Sequence, residues 1–62
     1  MKKTFRVTIL TKTDGVMTTY WYHREQAIDF LNKYSEIDDD FLSGIIEREL
    51  RSSHEVIYFR SK

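Results

Sequence analysis

A chain of 62 residues without cysteine makes one domain at most, spanning residues 1–62. At this length folding buries only about 60% of the surface that the unfolded chain exposes. The lack of cysteine excludes a disulfide framework and a thiolate zinc site, and a net charge of zero argues against generic phosphate binding over the whole surface.

The charge is nevertheless unevenly spread. Residues 1–24 carry Lys2, Lys3, Arg6, Lys12 and Arg24 against Asp14, a net +4. Residues 25–49 carry eight acids against Lys33 and Arg48, a net −6, and residues 50–62 return three bases against Glu55, a net +2. One tryptophan, four tyrosines and four phenylalanines suit a small domain that relies on dense ring packing or on dimerisation. The initial Met-Lys-Lys has no apolar run behind it, and no stretch approaches the roughly 18 apolar residues of a membrane span. The expectation is a cytosolic chain with no membrane partner.

Phe5 to His23 reads FRVTILTKTDGVMTTYWYH, two β-prone runs around Asp14-Gly15, a dipeptide suited to a type I′ hairpin turn. A two-residue loop there sets Val7 opposite Tyr22 and Ile9 opposite Tyr20. Phe5, Val7, Ile9, Tyr20 and Tyr22 then form the natural core face, with Trp21, Leu10 and Met17 on the other side. That second side is too apolar for a plain solvated face, and a one-residue slip would exchange the two.

Arg24 to Glu36 reads as a helix. Ala27, Phe30, Leu31 and Tyr34 fall at i, i+3, i+4 and i+7, one apolar stripe. Glu25 sits near the favourable N-terminus, and Asp29–Lys33 is a supportive i,i+4 pair. Ser35 to Asp40 breaks the pattern, and Asp38, Asp39 and Asp40 suit the cap and first turn of a second, shorter helix. Phe41, Leu42, Ile45, Ile46 and Leu50 would form its apolar side within residues 41–51. The competing reading is a strand, Ile45 to Leu50, paired with the C-terminus. Each trial register around Arg51–His54 sets Glu47 or Glu49 against an apolar partner, so the helix is preferred. Ser52-Ser53 is a turn, and His54 to Arg60 is a β-branched and aromatic run that reads as a strand. Val56 and Tyr58 would point one way, Ile57 and Phe59 the other.

The fold expected from these elements is α+β, in the order β-β-α-α-β. A three-stranded antiparallel sheet, the N-terminal hairpin plus the C-terminal strand, is covered by one long and one shorter helix.

Catalysis finds little footing. Gly15 and Gly44 are the only glycines, so there is no phosphate loop, and no serine motif sits in a strand–turn–helix context. His23 and His54 read as a residue near the helix start and a residue at a turn rather than as ligands or proton carriers. Asp38-Asp39-Asp40 lacks the spacing and glycine of a calcium loop. The chain is read as a non-enzyme with no cofactor and no metal. Trp21 is a candidate partner contact, since tryptophan is enriched in interface hot spots. Together with the basic N-terminal residues it also allows a nucleobase-stacking reading.

A family resemblance follows from VTIL (Val7–Leu10), DG (Asp14-Gly15), YWYHR (Tyr20–Arg24) and Asp29-Phe30 with Tyr34 four residues on. About half the chain resembles the very small uracil-DNA glycosylase inhibitors encoded by phi29-like phages. The resemblance implies a dimer, each subunit a three-stranded antiparallel sheet and a helix, that occupies the DNA-binding cleft of the host enzyme. Acidic side chains there stand in for phosphates, and an apolar pocket holds a leucine of the enzyme. Carried over by position, Phe30 and Tyr34 match the helix residues that line the pocket. Trp21 falls where the family has an acidic strand residue, and Ser35–Ser53 is much longer than its family counterpart. Glu36, Asp38, Asp39 and Asp40 are the carboxylates available to replace the family's stronger acidity.

The expected partner surface is therefore Trp21, Phe30, Tyr34, Glu36, Asp38, Asp39 and Asp40, its expected partner host uracil-DNA glycosylase, and direct nucleic-acid binding is not expected. The alternatives are another host-directed binder, with an anti-defence or transcription-modulating role, and a small nucleic-acid-binding domain.

Overall fold

The computed structural model describes residues 3–62. Lys2, counted above in the basic start, lies outside the described residues. The order of elements is β1 (Phe5–Thr11), β2 (Gly15–Trp21), α1 (Arg24–Ile37), β3 (Phe41–Glu49) and β4 (His54–Ser61). The four strands form one antiparallel sheet in the order β2-β1-β3-β4, and α1 covers one of its faces. The core is Val7, Ile9, Ala27, Leu31, Phe41 and Ile46, all buried.

The arrangement corrects the expected β-β-α-α-β order with three strands and two helices: residues 41–49 are a strand, not a second helix. Two features explain the difference. β3 pairs with β1 along its whole length, so Glu47, whose partner on β4 is Val56, turns instead to β1. There it accepts bonds from Arg6 Nη2 at 2.8 Å and Nε at 3.3 Å. The apolar partner that counted against a strand is offset by the neighbour on the other side. Gly44 is the second feature. It lies beneath α1, where a Cβ would run into the δ-methyl of Leu31. What would weaken a helix at this position lets the real helix approach the sheet closely.

The hairpin also differs from its expected register. Thr11 pairs with Gly15 and Phe5 with Trp21, which leaves Lys12-Thr13-Asp14 as a three-residue loop. A type I′ turn needs positive φ at both central residues, but Asp14 does not adopt it, and Gly15 alone does, at φ 74°. The loop is held from within, because the buried Thr11 hydroxyl accepts a hydrogen bond from the Asp14 N–H at 3.0 Å. The pairing is displaced by an odd number of residues, so every β2 side chain changes face. Val7 and Ile9 are core as expected. Their cross-strand partners are Thr19 and Met17, while Tyr20 and Tyr22 are exposed and Trp21 packs against the core.

Two bulges set the remaining register. Between Leu10–Ser43 and Thr11–Phe41 the extra residue is Leu42, which turns Phe41 inward, where it is fully buried. Between Ile46–Tyr58 and Glu47–Val56 the extra residue is Ile57. Val56 and Tyr58 therefore do not share a face, as simple alternation predicted. Val56 shares the uncovered face with Phe59, and Tyr58 packs against the core.

The helix has the expected stripe. Ala27 and Leu31 are buried, and Ile28, Phe30 and Tyr34 pack at the margin. His23 is its N-cap residue, without a side-chain cap bond. Asp38 ends α1 rather than starting a second helix. Its N–H donates to the Tyr34 carbonyl at 3.0 Å, and its Oδ1 accepts the N–H of Asp40 at 2.9 Å, turning the chain into β3.

Gly44→Val is expected to destabilise the fold by about 1–3 kcal/mol, because the added side chain overpacks the contact with the buried Leu31. A lower urea midpoint with an unchanged m-value is the expected result.

Candidate functional site

The aromatic side chains of α1 and β2 form a line along the side of the helix nearest β2. The Trp21 and Phe30 ring centroids lie 5.0 Å apart, and those of Phe30 and Tyr34 5.8 Å apart, both pairs tilted. Such geometry is favourable for ring pairs beyond the area they bury. Trp21 is also fixed by its indole N–H, which donates to Thr19 Oγ1 at 2.9 Å. The rings are half-buried, so they stiffen the helix–sheet junction and still present edges to solvent. Beside them Trp21, Gln26, Asp29, Phe30 and Lys33 line an open hollow of about 350 Å³.

Tyr34 links this line to a group of carboxylates. Its pKa is raised above the usual tyrosine value, first by a hydrogen bond to the Asp38 side chain, then by burial and the Asp38 charge, with smaller contributions from Asp14 and Asp40. A neutral phenol that donates to a carboxylate gives up its proton reluctantly, and more so with further negative charge nearby.

Asp14 comes from the hairpin tip and Asp40 from the α1–β3 turn. The two loops are joined by Thr13 Oγ1 donating to Asp40 Oδ2 at 3.0 Å and by the Lys12 N–H donating to the Asp40 carbonyl at 2.9 Å. Asp39 is exposed in the same turn, and Glu36 is exposed in the last turn of α1. Lys62 lies at this end too, its Nζ donating to the Asp39 carbonyl at 2.9 Å.

Of the expected residues, Trp21, Phe30 and Tyr34 form one line with Asp38 and Asp40 beside Tyr34, while Glu36 and Asp39 are exposed side chains outside that line. Trp21 is a correction in its placement: it stands on the helix side, stacked on Phe30, not on the opposite face of the hairpin. Asp14 joins the surface although the sequence reading treated it only as a turn residue. Gln26, Asp29 and Lys33 border the hollow, and their i, i+3 and i+4 spacing from Gln26 or Asp29 was the available signal. Among the described residues no group of three or more His, Asp or Glu side chains is placed to hold a metal ion. No helix among them is long and apolar enough to cross a membrane. Comparisons with models of protein families, with curated proteins and with solved structures found no match.

The arrangement can present a rigid apolar edge next to concentrated negative charge. It suits a partner with an apolar side chain to insert and basic groups beside it.

Asp38→Asn is expected to lower the Tyr34 pKa, read from its ring resonances in an alkaline NMR titration. The sign follows from the raised value. The neutral hydroxyl is favoured in the folded state, so its contribution to stability is complete below the ordinary tyrosine pKa of about 10 and is lost as pH rises through the raised one.

Proposed function

We propose that this chain is a phage-type inhibitor protein that binds host uracil-DNA glycosylase and blocks its DNA-binding cleft by DNA mimicry. The observation that carries the reading is the continuity of the Trp21–Phe30–Tyr34 line with the carboxylates of Asp38, Asp40 and Asp14. An enzyme cleft that accepts DNA is basic and contains groups that probe the duplex. A surface that excludes DNA from it needs carboxylates where phosphates would lie and an apolar seat for a probing side chain. The candidate seat is the open hollow beside Trp21 and Phe30, whose rings are bordered there by Gln26, Asp29 and Lys33.

The two parts of the surface contribute differently. Exposed carboxylates such as Asp39 and Glu36 mainly raise the association rate, and their effect fades with salt. The aromatic edge sets residence time, since desolvated apolar anchors dominate interface energetics. The same geometry weighs against nucleobase stacking by Trp21, whose indole is already engaged with Phe30 and Thr19.

A uracil-excision assay tests the proposal. Stoichiometric excess of the protein should abolish activity, and unaffected excision would sink the idea. Phe30→Ala is expected to weaken inhibition by about 30-fold, the scale of an interface hot spot. Arg51→Ala, at an exposed site in the β3–β4 turn, should leave inhibition unchanged. Asp39→Asn combined with Glu36→Gln should slow association at low salt and matter little at high salt, measured by stopped-flow binding.

A further inference from the structure

β2 forms one edge of the sheet, and the hydrogen bonds at the two ends of β1 show which of its backbone groups are free. The Thr4 carbonyl accepts the Glu49 N–H at 2.8 Å, and the Lys12 N–H donates to the Asp40 carbonyl at 2.9 Å. Alternate residues of a strand turn their backbone groups to opposite neighbours. The even-numbered residues of β1 therefore face β3, and the odd-numbered ones face β2. Their β2 partners are Gly15, Met17, Thr19 and Trp21. Val16, Thr18 and Tyr20, all exposed, are left with three N–H and three C=O groups directed away from the sheet. None of the devices that blunt an edge, such as lysine, proline or a bulge, occurs along this strand.

The surroundings of the edge are not uniform. Toward its start, Asp14, Asp38, Asp39 and Asp40 outnumber Lys12 and Lys62. Past its end stand Arg24 and Lys3, whose Nζ lies 5.3 Å from the Tyr22 ring centroid, against Glu25. On the helix side, Trp21 borders the open hollow of about 350 Å³ that it shares with Phe30.

We propose that β2 takes up an extended segment of a partner protein as a fifth, antiparallel strand, the segment carrying acidic residues before an uncharged stretch with a large apolar side chain, and basic residues after it. In that direction the segment begins beside Trp21 and ends beside Gly15. Its acids then meet Lys3 and Arg24, and its bases meet the carboxylates around the hairpin tip. Residues opposite Val16, Thr18 and Tyr20 exchange main-chain hydrogen bonds with the edge. Those opposite Met17, Thr19 and Trp21 turn their side chains toward α1, and the large apolar one enters the hollow beside Trp21. Main-chain pairing supplies affinity, while the hollow and the charged ends supply specificity. Nothing in this pairing depends on the glycosylase reading, which asks the hollow for a lone probing side chain and asks nothing of the β2 backbone.

NMR titration of the full chain with a synthetic peptide tests it. The probe has glutamates at its start, lysines at its end, and between them alternating valine and threonine, with leucine in place of the second valine, over the seven-residue length of β2. The Val16, Thr18 and Tyr20 amides should exchange fast with solvent in the free chain and slow by at least about tenfold in the complex, with Met17 and Thr19 protected in both. N-methylation of the peptide's threonine amides, which face β2, should weaken binding by on the order of 100-fold, the scale of several lost hydrogen bonds. N-methylation of its valine and leucine amides, which face away, should change little. Exchanging the glutamates and lysines should weaken binding at low salt and matter less at high salt. Thr18→Pro removes one free amide where an edge strand tolerates proline, and should weaken binding about fivefold. Binding that survives methylation of the threonines overturns the proposal. So does an absence of shifts along β2 at millimolar peptide, or protection of the three edge amides that grows with protein concentration alone, which would place a second copy on the edge. No enzyme enters the measurement, so its outcome is separate from that of the excision assay.

Discussion

One helix covers one face of a four-stranded sheet, and the contact of Leu31 with Gly44 determines how closely. Gly44 has no side chain beneath α1, so Leu31 reaches the floor of the core among Val7, Ile9 and Ile46. The rest of the molecule follows from that approach. The margin of the helix comes near enough to β2 for Phe30 to meet Trp21, and the end of α1 comes near enough to the hairpin tip for Asp14 and Asp40 to share the surroundings of Tyr34. A helix held farther out would separate rings from carboxylates.

How much of this was legible in the sequence depended on whether the signal was local. The stripe of Ala27, Phe30, Leu31 and Tyr34 depends only on helical spacing, and α1 begins at Arg24 as read and ends one residue later, at Ile37. Val7 and Ile9 were legible as core because alternation within β1 is uninterrupted. The β2 face was not, because the turn is set by the φ of one residue: Gly15 is left-handed and Asp14 is not. That difference moves the pairing by an odd number and reverses each side chain. β3 was illegible for another reason. Its glutamate is neutralised by Arg6 on β1, a neighbour 41 positions away that no hairpin of β3 with β4 reveals. Unbroken alternation from Gly44 and Ile46 would point Leu42 inward, and the bulge there puts Phe41 in the core instead, as the bulge at Ile57 separates Val56 from Tyr58.

The candidate site was legible as residues but not as a place. Phe30 and Tyr34 are neighbours by spacing alone. Their union with Trp21 required the true hairpin register, and their union with Asp14 required the contact between two loops. The resemblance drawn from the sequence uses the first hairpin and the helix alone, and the β3–β4 hairpin adds two further strands to that half of the chain. Five of the ten acids, Asp14, Glu36, Asp38, Asp39 and Asp40, lie toward the end of the molecule where the hairpin tip meets the α1–β3 turn, so a chain with zero net charge is locally acidic there.

The two margins of the sheet are unlike. β4 carries a bulge and the charged residues Glu55 and Arg60, devices that discourage another strand from aligning there. β2, at the opposite margin, is seven residues long, regular, and without a charge from Gly15 to Trp21. Backbone amides and carbonyls are therefore open to another extended segment along one side of the sheet alone.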